Sequence, residues 1–185
     1  ADALEFDFTS LAYAPGTLRI VGTLPYNIST PLLFYLLRHR AAIKDMHLML
    51  QREVAARVTA SPGGKDYGRL TVMLAPWVDA KTCFDIGPGA FVPPPKVRSR
   101  VVRLAPLTEP RFCMEHEARF SALVARVFSM RRKTLARSLN GWLTREQIAA
   151  AGIEPSERPE RLSPEDFGKL AALGSDDWVG GVDPQ

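Results

Sequence analysis

Residues 18 to 22 read Leu-Arg-Ile-Val-Gly, a short apolar run bounded by Pro15-Gly16 and by Pro25, as in a buried strand of a parallel sheet. Ser29 or Thr30 then offers an N-cap, with Pro31 as the first helical residue. Leu32, Leu33, Leu36 and Leu37 carry the helical spacing on towards Arg40. Met46 to Leu50 repeats the strand signal, Arg52 to Ala60 the helical one, and Ser61-Pro62-Gly63-Gly64 marks a turn. A third helix is expected to open at Tyr67. Lys81 to Ile86 and Arg100 to Leu104 are two further strands, joined by a proline-rich loop with no helix between them. Alternating strands and helices predict an α/β sheet, and the last adjacent pair predicts an antiparallel addition at its edge.

Past Pro106 the period changes. Phe112 to Phe128, Arg131 to Leu143, Arg145 to Ala151 and Pro164 to Leu173 all carry apolar residues at helical spacing, separated by breaks such as Gly152-Ile153-Glu154-Pro155. The chain therefore divides into an α/β part over residues 1–107 and a small all-helical domain over 108–173, with Pro106 to Pro110 as the linker. Residues 174–185, which hold four glycine or proline residues, are expected to fray. The opening Ala1-Asp2-Ala3-Leu4 reads as a strand end running into a turn, so the chain is expected to begin mid-domain.

Composition narrows the class. At 185 residues and 46% hydrophobic, the chain can bury one sizeable core, or a medium one and a small one. Its longest apolar run, Pro31 to Leu37, falls far short of the roughly 20 residues a membrane span needs, and no charged-then-apolar leader precedes it. This points to a cytoplasmic protein with no membrane partner. Cys83 and Cys113 lie apart from any histidine or cysteine at ligand spacing, so neither a metal site nor a disulfide framework is expected, and both read as reduced packing residues. The formal charge of +4 is unevenly spread. Residues 96–145 hold twelve Lys and Arg against three Asp and Glu, whereas 146–185 hold three against nine. A concentrated basic stretch is the footprint of phosphate-backbone binding, although a solvated face has the same composition.

Chemistry centres on Thr23-Leu24-Pro25-Tyr26-Asn27-Ile28-Ser29, which follows a strand where ligands collect in an open α/β sheet. Pro25 stiffens the backbone and keeps neighbouring carbonyls out of a helical ladder, free to accept an exocyclic amino group. Tyr26 supplies a flat face for a base to stack on. Taken alone, a plain turn with a packed tyrosine fits the same residues.

This segment resembles motif IV of amino-group methyltransferases in its Asn-Leu-Pro-Tyr-Asn-Ile-Ser form. Further matches follow in order: Met49-Leu50-Gln51-Arg52-Glu53-Val54, Tyr67-Gly68-Arg69-Leu70, Phe91-Val92-Pro93-Pro94-Pro95-Lys96-Val97, and Arg131-Arg132-Lys133-Thr134-Leu135 with Ser138-Leu139. Across roughly residues 1–165 the chain is similar to the KsgA/RsmA family of rRNA adenine-N6 dimethyltransferases. The unbroken Pro93-Pro94-Pro95-Lys96-Val97 and the Arg131-Arg132-Lys133-Thr134-Leu135 run favour that branch over the related erythromycin-resistance enzymes.

The resemblance implies the C-terminal part of a Rossmann-like, S-adenosylmethionine-dependent methyltransferase sheet followed by the helical domain. It implies a monomer that dimethylates two adjacent adenines near the 3′ end of small-subunit (16S) rRNA, on the 30S subunit, during ribosome biogenesis. It assigns catalysis to Thr23, Leu24, Pro25, Tyr26 and Phe91, with Tyr26 and Phe91 sandwiching an extruded adenine. Asp2 and Thr23 fall at cofactor-binding positions. Arg126, Arg131, Arg132, Lys133 and Arg137 face RNA, with Arg126, Lys133 and Arg137 sharing one face of a helix. Lys96, Arg98, Arg100 and Arg103 are read as continuing the positive track.

Two departures from the family pattern stand out. Thr23 occupies the place of the first motif IV asparagine, and a hydroxyl cannot reproduce the reach or polarity of the amide. No Gly-x-Gly-x-Gly occurs in the chain, so it is expected to bind cofactor poorly and, as given, to be inactive. Two other readings stay open: a DNA adenine methyltransferase, against which Leu24 and the helical domain argue, and a non-catalytic RNA- or ribosome-binding assembly factor.

Overall fold

A run of β-forming residues with helix formers between them gives two parallel strands and a crossover. In the computed structural model, which describes residues 2–25 and 27–181, β1 (Leu18–Thr23) pairs in parallel with β2 (Ile43–Gln51) through α1 (Ser29–Arg38). α2 (Arg52–Val58) follows β2 directly. β3 (Val78–Ile86) and β4 (Ser99–Pro106) form an antiparallel pair, and β4 inserts between β2 and β3 to give the order β1-β2-β4-β3. The expected antiparallel edge is thus present, with β3 outermost.

The two-residue period of β2 decides which side of the sheet is packed. Met46, Leu48 and Leu50 are fully buried beside Val102 and Leu104 of β4, and α2 lies against β2, β3 and β4. On the opposite side Val21 is 79% and Phe84 58% exposed. α1 buries Leu32, Leu33, Leu36 and Leu37. Neither Ser29 nor Thr30 is its N-cap. That position is Ile28, with no side-chain bond, and Pro31 sits inside the first turn, where helical N–H groups have no intrahelical partner anyway.

The chain separates into two compact units, Ala1–Thr59 with Trp77–Glu109, and Ala60–Pro76 with Pro110–Gln185. This differs from a single cut at residue 107 in one segment. The third helix, α3 (Arg69–Leu74), belongs to the helical unit because Tyr67 just before it is fully buried there and donates its hydroxyl to the Leu162 carbonyl at 2.8 Å. Burial, then the charges of Glu165 and Asp166, push the Tyr67 hydroxyl well above its ordinary pKa, so it stays a neutral donor.

The helical unit adds α4 (Glu117–Ser129), α5 (Leu135–Ser138), α6 (Arg145–Ala150) and α7 (Pro164–Ala172). Phe120, Leu123, Val124 and Val127 of α4 share one core with Leu135, Leu139, Ile148, Phe167 and Leu170. α4 starts five residues later than its periodicity suggests. The expected helix from Arg131 to Leu143 is only the four residues of α5, because residues 131–134 form a turn and the first α5 N–H groups, of Leu135 and Ala136, bond the carbonyls of Glu157 and Pro155. α6 and α7 begin with reciprocal capping boxes, Thr144 with Gln147 and Ser163 with Asp166. Gly152 follows α6 at φ +76, the left-handed conformation that ends a helix and favours glycine.

Of the segment expected to fray, residues 174–181 are described and 182–185 lie outside the described residues. Asp176–Gly181 is a 3-10 helix whose Trp178 is buried, stacked on Trp142 with ring centroids 4.6 Å apart, and packed on Gly174 so closely that a Cβ there would meet its ring at 2.4 Å. One aromatic ring supplies the apolar area that the rest of the segment lacks. Both cysteines are free and exposed, contrary to the packing role expected of them.

Candidate active site

β1 delivers Thr23 to the carboxyl end of the parallel pair, in register with Met49 of β2. Thr23 is exposed, while the next side chain, Leu24, is 6% exposed, and its N–H continues the ladder to the Met49 carbonyl at 3.1 Å. Leu24 therefore anchors the strand end through its side chain and presents only backbone to the crevice. Pro25 is exposed, and its own carbonyl accepts the Ile28 N–H at 3.2 Å in a turn. Tyr26, the residue expected to stack on a base, lies outside the described residues.

The loop between β3 and β4 reaches the same end of the sheet, since Ile86 and Gln51 both stand opposite Ser99. It begins with the 3-10 turn Pro88–Ala90, which Phe91 closes by donating its N–H to the Pro88 carbonyl. Phe91 is half-buried, and Lys96 and Arg98 beyond it are exposed. The loop is closed at its base. The Arg52 N–H at the start of α2 bonds the Arg98 carbonyl at 2.9 Å, and Asp85 meets the guanidinium of Arg100, its cross-strand partner, through both carboxylate oxygens, with Oδ2 3.0 Å from Nη2. The Arg52 Nε lies 3.7 Å from the same carboxylate. The bond from Arg100 holds the Asp85 carboxyl below its ordinary pKa. No short-range motif announces this cluster, because its members meet only once β3 and β4 pair.

The strand end that carries Thr23 and the loop that carries Phe91 lie at one end of the sheet, and a family model, Ribosomal RNA adenine dimethylase, matches the chain over residues 1–174. The chain belongs to the ribosomal RNA adenine dimethylase family. Among curated members, the ribosomal RNA small subunit methyltransferase A of Nitrosococcus oceani is 51% identical over 166 residues, covering 90% of this chain and 63% of that protein. The protein of the same name from Pseudomonas aeruginosa is 51% identical over 174 residues, covering 92% and 63%. The chain thus spans less than two thirds of the length of these relatives. Among solved structures, a dimethyladenosine transferase from Plasmodium falciparum matches with a TM-score of 0.72 at 26% identity, over 92% of this chain and 69% of that one. The 23S rRNA methyltransferase ErmE matches at 0.64 and 27%, over 90% and 68%. The four strands are accordingly part of the Rossmann-like methyltransferase sheet expected of the dimethylase family.

The basic residues of the helical unit do not share a helix face. Arg126 is on α4, Lys133 is in the turn after it and Arg137 is on α5. The Arg126 guanidinium donates to the carbonyls of Ser138 (2.7 Å) and Asn140 (2.9 Å) and lies over the Trp142 ring, which gives it a structural duty. Arg131 donates to the Lys65 carbonyl at 3.0 Å. Arg132, Lys133 and Arg137 are exposed. Asp2 is also exposed, its Oδ1 accepting the Leu4 N–H at 2.9 Å, which fixes the carboxylate in an Asx turn. Among the described residues no helix is long and apolar enough to cross a membrane, and no group of histidine, cysteine and carboxylate side chains could hold a metal ion.

Proposed function

We propose that this chain is the base-accepting and RNA-facing portion of a small-subunit rRNA adenine-N6 dimethyltransferase, acting as a cytoplasmic monomer on 30S ribosomal particles. The observation that carries the reading is that Thr23–Pro25 and the base of the Phe91 loop lie at the same end of the sheet, the carboxyl end of the β1–β2 pair. The names of the curated relatives support the small subunit as the target, and the two adjacent adenines near the rRNA 3′ end come from the resemblance.

S-adenosylmethionine, when bound, supplies an electrophilic sulfonium methyl. Asp2 fits it, because an exposed carboxylate held by a backbone N–H is an acceptor for the amino group of the cofactor's adenine. Toward the substrate, the Leu24 carbonyl accepts one hydrogen of the target amino group and the Thr23 hydroxyl stands where a second acceptor belongs. Hydrogen bonds from both amino hydrogens to oxygen acceptors favour the pyramidal nitrogen whose lone pair can attack the methyl, the methyl–sulfur bond breaking as the nitrogen–carbon bond forms and a proton then leaving the nitrogen for water, so position and electrostatics do most of the work. Phe91, with Tyr26, covers the faces of the extruded ring.

Thr23 is the weak point. Its hydroxyl is shorter than an amide and donates as readily as it accepts, so the full-length protein is expected to methylate slowly, and Thr23→Asn to raise kcat on the order of ten- to a hundred-fold with little change in rRNA affinity. Transfer of radiolabelled methyl to 30S particles measures this; full activity that Thr23→Asn leaves unchanged would refute the role given to position 23. The same residue favours a second reading, a non-catalytic assembly factor. No methyl transfer by either form, with 30S binding intact, would establish that one instead.

A further inference from the structure

The Phe91 loop leaves the sheet at Ile86 and returns at Ser99, spanning twelve residues with three consecutive prolines and no strand of its own. A loop of that length positions an aromatic ring only if its two ends are fixed, because every freedom at the base is carried to the tip. Ser99, at its return, is fully buried. One residue in from each end, Asp85 and Arg100 face each other in register across β3 and β4. Their contact is two-pronged, which fixes the orientation of both planar groups as well as their separation. Arg100 also stands opposite Leu50 of β2, on the side covered by α2, and keeps only 19% of its side chain exposed. The third member, Arg52, opens α2 and binds the same base twice, through its backbone N–H to Arg98 and through its guanidinium toward Asp85.

We infer that Asp85, Arg100 and Arg52 form a clasp that sets the position of the Phe91 loop against the ends of β2 and α2, making Asp85 and Arg100 positioning residues for base capture. The inference rests on the proposed function. Asp85 touches neither cofactor nor base in this account; it acts through the loop. One carboxylate faces two guanidinium groups, Arg52 and Arg100, so loss of its charge releases both at once. The clasp also takes Arg100 out of the group of basic residues available to phosphate.

The test uses the full-length protein with Asp85→Asn, Arg100→Gln and the exchange Asp85→Arg with Arg100→Asp. Two readouts are taken: the rate of tryptic cleavage after the exposed Lys96, and kcat and KM for methylation of 30S particles, with the thermal midpoint as a control for folding. Each single variant is expected to speed cleavage after Lys96 several-fold. Each is also expected to lower kcat on the order of ten- to a hundred-fold, as a misplaced ring should, with KM for S-adenosylmethionine unchanged. The exchange should restore both in part, since it re-forms the pair across β3 and β4 while turning a guanidinium at position 85 toward Arg52. Unchanged cleavage in both single variants, or an exchange that restores the midpoint but neither readout, overturns the clasp. If the parent protein transfers no methyl at all, the proposed function fails and the cleavage rates alone decide whether the clasp exists.

Discussion

Asp45 is a carboxylate with 1% exposure on the third position of β2, ringed by the Arg19 Nε at 3.3 Å, the Arg103 Nη2 at 3.3 Å and the His47 Nδ1 at 3.8 Å. Arg19 is its neighbour in the parallel register. Removing the carboxylate would leave basic groups crowded on one side of the sheet without a counter-charge. The partners keep 61% and 39% of their side chains exposed, which lessens the loss through solvent screening. Asp45→Ala is therefore expected to cost about 2 kcal/mol in a urea titration, near the middle of the range for hydrogen bonds to charged groups. A change under about 0.5 kcal/mol would mean the two guanidinium groups are content in water. At this scale the sequence was legible where chemistry is written locally. Thr23, Leu24 and Phe91 were singled out because they lie in contiguous motifs. Asp45 and Asp85 were missed because their arginine partners are 26 and 58, and 15 and 33, residues away and meet them only in the folded sheet.

Elements with an unambiguous period and a clear boundary were legible to within two residues, β1, α2, α6 and α7, whereas β2 starts three residues before the Met46 at which its apolar run was read. Periodicity failed where a tertiary bond replaced a helical one. Lys133 donates to the Met130 carbonyl at 2.8 Å and the α5 N–H groups reach residues 155–157, so an apolar spacing that reads as one helix is a turn and a single helical turn. The capping box of α7 is the opposite case, a local bond pattern in which the side chains of Ser163 and Asp166 each accept the other's backbone N–H. Burial tends to raise the Asp166 pKa, but bonds from Lys169 and from the Ser163 hydroxyl and N–H outweigh it, and the net shift is downward. A lowered carboxyl pKa in the folded state contributes stability that is present above the unfolded value and fades as pH falls through the folded one. Asp166→Asn should then cost about 1 kcal/mol at pH 6 to 7, and the gap between variant and parent should close below about pH 4. Stability curves that stay equally far apart down to pH 3 would assign the effect of the substitution to packing instead of charge.

At the scale of the molecule, the basic stretch 96–145 divides into cations with an internal duty and cations facing water. Arg100 and Arg103 are held by Asp85 and Asp45, Arg119 by Asp176, and Arg111, Arg126 and Arg131 by backbone carbonyls. Lys96, Arg98, Arg132, Lys133, Arg137 and Arg145 are exposed. Charge counting on the sequence weighs all twelve alike; only pairing tells them apart, which is why Arg126 reads from sequence as an RNA ligand and from structure as a brace between α4 and the Ser138–Asn140 turn. RNA affinity gained by counterion release falls with salt in proportion to the phosphates neutralised, by about 0.7 to 0.9 in log–log slope per contact. Replacing Arg132, Lys133 and Arg137 together with alanine should therefore flatten the salt dependence of rRNA binding by about 2, with the thermal midpoint unmoved. Arg126→Ala should do the reverse, lowering the midpoint through two orphaned carbonyls and an uncovered Trp142 while leaving the slope where it was. Filter binding of the full-length proteins across a salt series separates the two, and a slope that follows Arg126 but ignores the exposed three would mean that RNA docks elsewhere on the protein.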